Sequence, residues 1–214
     1  MLIYAVADIH GKTEKIEQVE SNIDLYKPDL VVIAGDITNY FHAEKIIKRL
    51  SRIQVPLLVI RGNSDLQSVE KIVGSFPGIH SLDKKFFCFE NRWFTGINGT
   101  IPLPFYSIIC LREKEKLKKM KKFVTHDSIV VAHPPCRGTL DKVGKRFHAG
   151  SKHLKDFIIK LQPAMLLCGH IHEDAGFKYI GRTMVVNCAM NRECSGAVIE
   201  YSQENEPDVK MICK

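Results

Sequence analysis

Five apolar segments of the chain each lead into side chains of the types that bind metal ions. In chain order these side chains are Asp8, His10, Asp36, Asn63, His133, His170 and His172. Carboxylate, amide oxygen and imidazole ligands without a thiolate suit Mn, Fe, Zn, Ni or Co. Seven candidate ligands are more than one ion needs, whereas two ions bridged by a carboxylate use such a set naturally. The sequence therefore predicts a site for two divalent metal ions.

The order of these residues argues against a purely structural role. A single Asp after a strand is more often a turn or helix-cap residue, and a lone His is more often structural than a ligand. Five strand ends that all carry Asp, Asn or His are hard to explain in that way. A glycine precedes Asp36, Asn63 and His170, and glycine allows the sharp turns that aim a side chain back at a site. Because ligands bind beyond the carboxyl ends of strands in open α/β sheets, we expect the seven side chains to converge.

The segments that must position these residues read as strands and helices in alternation. We predict strands at 2–7, 30–34, 55–60, 86–89, 93–97, 128–132, 164–168, 176–180, 183–187, 196–201 and 209–213. We predict helices after Thr13 as a cap, at 43–50, in the basic run 112–122 and at about 151–161. The alternation in the front half favours a parallel sheet covered by helices, whereas the last strands read as antiparallel. The predicted fold class is α/β, a four-layer α-β-β-α sandwich of two mixed β-sheets flanked by helices.

The composition is that of an ordinary globular protein, with 45% hydrophobic and 26% charged residues among 214. We find no repeat, low-complexity segment or linker and expect residues 1–214 to form a single domain. No apolar run approaches the ~18 residues of a membrane span. The first residues lack a basic leader and read as a strand. We therefore expect a cytoplasmic protein with no membrane partner.

The net charge of the chain indicates which classes of substrate it attracts. A net charge of +7 favours anionic substrates through long-range steering and is equally compatible with nucleic-acid contact. Much of this charge lies in the run 112–122, where Leu111, Leu117, Met120 and Phe123 suggest an amphipathic helix.

Seven scattered cysteines without a C-x-x-C pair argue against a disulfide framework and a thiolate zinc site. We expect them to be small buried residues in a reducing compartment.

The ordered series D-x-H, G-D, G-N, H and G-H-x-H, from Asp8 to His172, resembles the calcineurin-like metallophosphoesterase superfamily. The stretch from His133 to Glu173 resembles a subgroup of small prokaryotic phosphoesterases related to cyclic-nucleotide phosphodiesterases. The resemblance implies a β-sandwich of two mixed sheets flanked by helices. It also implies a first metal bound by Asp8, His10 and His172, a second metal bound by Asn63, His133 and His170, and Asp36 as the bridge.

The function that follows is hydrolysis of a phosphate ester, with a phosphodiester as the expected substrate. A water held between two divalent cations loses a proton near neutral pH, and the resulting hydroxide is a strong nucleophile. The candidate catalytic residues are Asn63, His133 and His148. Asn63 would also donate a hydrogen bond to a phosphoryl oxygen. His148 lies in a predicted loop over the site, where it would hold the substrate or protonate the leaving group, or would be no more than a loop histidine.

Ser64 departs from the family pattern, because many members carry His after the G-N pair and use it to protonate the leaving alcohol. A serine hydroxyl is far too weak an acid for that role. We therefore expect aryl diesters, whose leaving groups need no proton, to be better substrates than alkyl esters. Asp65, which would orient that His, is expected instead to cap the following helix.

Two other functions compete with a small-molecule phosphodiesterase. A nuclease would use the same metals together with a basic groove, so nucleic acid is a second class of substrate. A non-catalytic scaffold would keep the fold but lose metal ligands. All seven ligands are present in this sequence, which weighs against the scaffold.

Overall fold

The computed structural model describes residues 1–83, 85–99, 113–144, 146–202 and 206–214. The strands are Leu2–Val6 (β1), Leu30–Ala34 (β2), Leu57–Ile60 (β3), Ile79–Ser81 (β4), Phe86–Phe89 (β5), Arg92–Ile97 (β6), Ile129–Ala132 (β7), Lys142–Val143 (β8), Phe147–His148 (β9), Met165–Cys168 (β10), Gly176–Ile180 (β11), Thr183–Asn187 (β12), Cys194–Glu200 (β13) and Asp208–Cys213 (β14). The helices are Thr13–Tyr26 (α1), Ala43–Leu50 (α2), Ser68–Val73 (α3), Glu113–Met120 (α4) and Lys152–Leu161 (α5), with a 3₁₀ helix at His172–Asp174.

Two six-stranded mixed sheets account for most of these strands. In the first sheet the spatial order is β14-β13-β1-β2-β3-β4. Strands β1 to β4 are parallel to one another, β13 is antiparallel to β1, and β14 is antiparallel to β13. In the second sheet the order is β11-β12-β10-β7-β6-β5, with a parallel centre and an antiparallel strand at each edge. The parallel strands of each sheet therefore deliver their carboxyl ends to one edge.

The core explains why the central strands are apolar at every position. In β2, the side chains of Leu30, Val32 and Ala34 join the cluster between the two sheets. Val31 and Ile33 point to the opposite face and join the residues beneath the first three helices. Successive strand side chains alternate between faces, so a strand covered on both sides must be apolar throughout.

A third cluster lies on the outer face of the second sheet and includes residues of α4 and α5. The layers are therefore helices, sheet, sheet and helices, and the predicted α-β-β-α sandwich is confirmed. Leu117 and Met120 of the basic run are buried on α4 as predicted, and Leu111 and Arg112 lie outside the described residues. The prediction is wrong for Phe123, which follows the helix and is 62% exposed.

Several local predictions differ from the structure. Thr13 is the first residue of α1 rather than its cap, and Lys12 before it makes no side-chain capping bond. The short helix Ser68–Val73, the strand Ile79–Ser81 and the hairpin of β8 and β9 were not predicted. Elements of two to six residues carry too few apolar positions to show a periodicity.

The expectation for the cysteines is wrong at one pair. Cys194 and Cys213 face each other on the antiparallel strands β13 and β14 and form a disulfide with an S–S distance of 2.05 Å. Strand register brings them together, which the sequence spacing alone does not reveal. Cys136, Cys168 and Cys188 are free and buried as expected.

Two further cysteines complete the set. Cys88 is free and exposed, and Cys110 lies outside the described residues. Within the described ranges, no helix is both long and apolar enough to cross a bilayer.

Candidate metal centre

The predicted ligands follow the carboxyl ends of parallel strands of both sheets. Asp8 comes two residues after β1, Asp36 two residues after β2 and Asn63 three residues after β3. From the second sheet, His133 directly follows β7 and His170 comes two residues after β10. Both sheets thus present polar side chains at the same end of the sandwich.

The backbone at this edge is in an unusual conformation. Four of the seven predicted ligands have positive φ angles, namely Asp8 (63°), His10 (53°), Asp36 (51°) and His170 (72°). The left-handed region is unfavourable for most residues other than glycine, although Asp, Asn and His adopt it more readily than others. Backbone strain of this kind clusters at functional sites. The turns therefore serve to aim side chains at a common point.

Two glycines allow the loops to pack closely here. A Cβ atom on Gly62 would collide with the carboxylate of Asp36, and a Cβ on Gly35 would lie 2.5 Å from Nδ1 of His133. Larger residues at either position would displace a predicted ligand, so glycine is required by the close approach.

A first group of potential ligand atoms comprises Asp8, His10 and His172, whose atoms lie within 4.8 Å of one another. Oδ1 of Asp8 lies 3.2 Å from Nε2 of His172 and 3.8 Å from Nε2 of His10. Asp8 is fully buried, whereas the two histidines are partly exposed. The group therefore opens to solvent on its histidine side.

A second group comprises Asp8, Asp36 and His133, again with atoms within 4.8 Å of one another. Asp36 Oδ1 lies 3.5 Å from Nε2 of His133, and Asp36 Oδ2 lies 3.8 Å from Nδ1 of His10. The two oxygens of Asp36 thus face a histidine of each group. Asp8 belongs to both groups and Asp36 lies between them.

Asn63 and His170 lie beside the second group. Oδ1 of Asn63 is 3.1 Å from Nε2 of His133, and the rings of His170 and His133 have centroids 5.0 Å apart. The backbone N–H of His170 donates to Oδ2 of Asp8 at 2.8 Å. The structure therefore brings all seven predicted metal ligands together.

Buried hydrogen bonds hold these ligands in place. Nδ1 of His133 lies 2.8 Å from the carbonyl oxygen of Ala34, which leaves Nε2 to face the cluster, as is usual for a metal-binding histidine. The amine of Lys15 donates to the backbone carbonyl oxygens of Asp8 and Met190. Asn191 donates to the carbonyl oxygen of His172 at 2.7 Å.

The expectation that Asp65 caps a helix is wrong. Its buried carboxylate accepts hydrogen bonds from the backbone N–H groups of Ile37 and Thr38, which follow Asp36, and from Gly62. The next helix begins at Ser68, three residues further on. Asp65 therefore ties the loop that carries Asp36 to the loop that carries Asn63.

Ser64 contacts Asp36 rather than the open side of the site. Its hydroxyl donates to Oδ2 of Asp36 at 3.0 Å and its N–H donates to Oδ1 at 2.8 Å. Only 5% of Ser64 is exposed. Ser64 therefore fixes the orientation of the Asp36 carboxylate.

The electrostatics of the cluster reflect burial and its two carboxylates. Burial alone would raise the pKa of Asp36, but the contact with His133 and the N–H of Ser64 outweigh it and lower that pKa. Burial lowers the pKa of His133, yet the neighbouring Asp36 and Asp8 raise it to about 9. Burial and the charge of His133 lower the pKa of His170 to about 4. Burial also opposes ionisation of Asp8, but its contact with His172 leaves the pKa of Asp8 lowered. Both carboxylates are therefore ionised at neutral pH.

The donor set fits divalent metal ions. Oδ1 of Asp8 is buried and accepts no well-aligned hydrogen bond among the described residues, although Nε2 of the half-exposed His172 lies 3.2 Å away. A buried ionised oxygen without a partner is costly unless a cation or donor compensates it. Imidazole and carboxylate ligands without thiolate match Mn, Fe, Zn, Ni and Co. Asp8, Asp36 and the surrounding histidines therefore form a cluster able to hold metal.

His148, the remaining candidate, belongs to neither group of ligand atoms. It lies on the hairpin of β8 and β9 with 40% of its side chain exposed, and its Nδ1 is 2.6 Å from Oδ1 of the fully buried Asp141. The second oxygen of Asp141 accepts from the N–H of Gly150 at 2.8 Å. Asp141 was not predicted, because its contact with His148 depends on the pairing of β8 with β9, which the sequence did not reveal.

The hairpin is connected to the loop that carries His170 and His172. The N–H of Lys142 donates to Asp174 at 2.9 Å, and the N–H of Gly144 donates to Glu173 at 2.5 Å. Glu173 and Asp174 directly follow His172 in the 3₁₀ helix. The position of His148 is therefore coupled to the loop that carries two predicted ligands.

The fold and the cluster are those of a metallophosphoesterase. The sequence model of the calcineurin-like phosphoesterase family matches residues 1–174, so the chain belongs to that family. It is 29% identical over 196 residues to the uncharacterized protein MJ1162 of Methanocaldococcus jannaschii, and the match covers 87% of each chain.

Solved structures agree with this fold. The protein TT1561 of Thermus thermophilus superposes with a TM-score of 0.72 at 14% identity, covering 99% of this chain and 98% of the other. A dimetal phosphatase from Danio rerio superposes with a TM-score of 0.68 at 9% identity, covering 99% of both chains. At these identities the superpositions show a shared fold.

Proposed function

We propose that this protein is a phosphodiesterase that uses two divalent metal ions. The observation that carries the proposal is the pair of ligand groups that share the buried carboxylate of Asp8. Asp36 presents one oxygen toward each group, which suits a bridging carboxylate. A scaffold would have no need of a buried carboxylate oxygen without a partner.

The residues divide between two sites. Asp8, His10 and His172 would hold the first ion, Asn63, His133 and His170 would hold the second, and Asp36 would serve both. Mn, Fe, Zn, Ni and Co suit these ligands. Such ions supply an activated water and offset the charge that develops on the phosphoryl oxygens.

The side chains orient the substrate around this centre. Asn63 is exposed and keeps a side-chain N–H for a phosphoryl oxygen. Ser64 and Asp65 fix the relative positions of the two loops that carry Asp36 and Asn63. These hydrogen bonds preorganise the site before substrate arrives.

His148 is the residue we assign to the leaving group. Asp141 fixes Nδ1 of its ring and thereby directs the other ring nitrogen outward. An imidazole held in this way can give a proton to a departing alcohol or hold its oxygen. The hydrogen bonds between the hairpin and the residues after His172 support a position next to the metal centre.

Metal analysis followed by activity assays tests this proposal. We expect about two ions per chain by elemental analysis, in agreement with a two-metal site. Chelation should abolish hydrolysis of bis(4-nitrophenyl) phosphate, and adding back single metals should restore it. Hydrolysis that survives complete chelation, or tight binding of metal with no hydrolysis of any mono- or diester, would refute the enzyme and favour a scaffold.

A further inference from the structure

A cleft leads away from the metal centre between α1 and α2. It has a volume of about 700 Å³, and the metal-ligand candidate His10 forms part of its wall. A cleft of this size accommodates a ligand as large as a drug molecule or a nucleotide. Substrate bound at the metals would therefore extend into it.

One side of the cleft is a row of cations on α2 and the turn after it. Lys45, Lys48 and Arg52 all line it, and residues three, four or seven apart share one face of a helix. At 1.5 Å per residue the row is about 10 Å long. No hydrogen bond or ion pair involves these three side-chain charges within the part of the chain that the structure describes.

The nearby acidic residues do not neutralise this row. Glu20 makes a two-pronged contact with Arg49, at 2.9 and 2.7 Å, and Glu17 approaches the same guanidinium at 3.8 Å. Arg49 thus takes up two of the four carboxylates of the facing helix, those of Glu17 and Glu20. Lys45, Lys48 and Arg52 remain available for an anionic ligand.

An aromatic side chain stands at the mouth of the cleft. Phe41 is 73% exposed, and the residues on either side of it, Tyr40 and His42, both have φ of 56°. The N–H of Tyr40 donates to the carbonyl oxygen of Ser64 at 3.0 Å, which fixes this loop to the one that carries Asn63 and Ser64. A strained, anchored loop that presents an aromatic ring to solvent is suited to stacking with a ligand.

We propose that this cleft binds the nucleotides next to the scissile phosphate of a single-stranded oligonucleotide. A positively charged groove with an exposed aromatic platform is the arrangement by which proteins hold single strands without sequence preference. Phe41 stacks with a base, while Lys45, Lys48 and Arg52 contact successive phosphates. The inference rests on the proposed phosphodiesterase for its scissile phosphate, but the binding is measurable without turnover.

The test is fluorescence anisotropy with a short, fluorescein-labelled oligothymidylate that has phosphorothioate linkages, added to the metal-loaded protein. The triple variant Lys45→Glu/Lys48→Glu/Arg52→Glu should raise the Kd at least about tenfold and reduce the slope of log K against log salt by about two. Phe41→Ala should raise the Kd at least about fivefold. Hydrolysis of bis(4-nitrophenyl) phosphate should change less than about twofold in the triple variant, since the metal ligands are untouched and this diester carries no further phosphates for the row to contact.

The matched control reverses three exposed cations, two on α4 and one in the turn that follows it, in Lys114→Glu/Lys118→Glu/Lys121→Glu, which makes the same change in net charge. An equal rise of the Kd in this control would overturn the proposal, because binding would then follow net charge alone. Unchanged binding in Phe41→Ala, with inorganic polyphosphate competing as well as oligothymidylate, would overturn the assignment to a nucleic acid. Cleft-dependent binding by a protein that hydrolyses no ester would support this inference while refuting the proposed function.

Discussion

The candidate metal centre and the hairpin that carries His148 position their side chains in different ways. Each carboxylate of the metal centre is buried and held by backbone or side-chain donors. His148 is exposed and depends on one side-chain partner, the buried Asp141. The first region is fixed by the ends of strands from two sheets, and the second by a two-residue ladder between β8 and β9.

This difference predicts how strongly a mutation in each region should reduce activity. In the candidate metal centre Asp8 belongs to both ligand groups and Asp36 faces both. Loss of either charge should therefore abolish hydrolysis. At the hairpin the loss of Asp141 should impair His148 without removing it. Graded effects are therefore expected at the hairpin and all-or-none effects at the centre.

The largest expected effect comes from Asp36→Asn. Asn tolerates the positive φ at this position, so the fold should survive, but the bridging negative charge is lost. We expect metal content to fall at both sites and hydrolysis to fall by about 10³-fold or more, as befits the loss of metal-assisted chemistry. Elemental analysis and kcat/KM for an aryl diester check this, with circular dichroism as the control for folding. Two fully occupied sites in this variant would show that Asp36 does not bridge.

A smaller effect is expected at the hairpin. His148→Gln should reduce kcat by roughly 10²-fold on an alkyl diester, within the range of general acid catalysis. Asp141→Asn should reduce it less, because the imidazole remains but is less well oriented. Steady-state kinetics of both variants on one alkyl diester give the ranking. Activity of His148→Gln within about twofold of the parent would return His148 to a structural role.

The choice of leaving group sharpens the comparison. We expect faster turnover of aryl than of alkyl diesters, and His148→Gln should widen this ratio because only alkoxides need the proton. Ser64→Ala should slow both substrates by a similar factor, since its hydroxyl orients Asp36 and faces no leaving group. A matched aryl and alkyl pair measures these ratios. A ratio that changes in Ser64→Ala but not in His148→Gln would reverse the two assignments.

The smallest expected effect concerns stability in acid. Burial raises the pKa of Asp141, but hydrogen bonds from His148, Gly138 and Gly150 outweigh it and leave the pKa below its ordinary value of 3.8. A carboxylate with a lowered pKa stabilises the fold above the unfolded-state value and loses that contribution as the pH falls through the folded-state value. The difference in Tm between the parent and Asp141→Asn should therefore shrink as the pH falls below 3.8. A difference independent of pH would show that the ionised carboxylate contributes nothing.

Much of the fold and the whole set of converging side chains could be predicted from the sequence. Strands such as β2 and β10 are covered on both faces and are therefore apolar at every position. Such a continuous apolar run is easy to recognise in the sequence. The polar residues after them stand out because buried strands rarely end in the same few ligand types. Proximity of Asp8 to His170, which are 162 residues apart, followed from the rule that parallel strands share one functional edge.

Other features depend on tertiary contacts that no local pattern encodes. The role of Asp65 arises from loops that meet only in the folded chain, so a local rule assigned it to a helix cap. Lys15 belongs to an ordinary amphipathic helix by its spacing, yet its amine reaches two carbonyl oxygens of the metal-binding loops. The pairing of Cys194 with Cys213 depends on the register of β13 and β14, which the sequence does not specify by itself.

The left-handed backbone at Asp8, His10, Asp36 and His170 also limits how this family member can change over evolutionary time. The residues that tolerate such angles are Gly, Asn, Asp and His, and three of these types are themselves metal ligands. A mutation from Asp to Asn or from His to Asn at these positions therefore keeps the turn while it weakens the ligand. A descendant that retains the whole sandwich but binds metal less well is thus a single, structurally inexpensive substitution away.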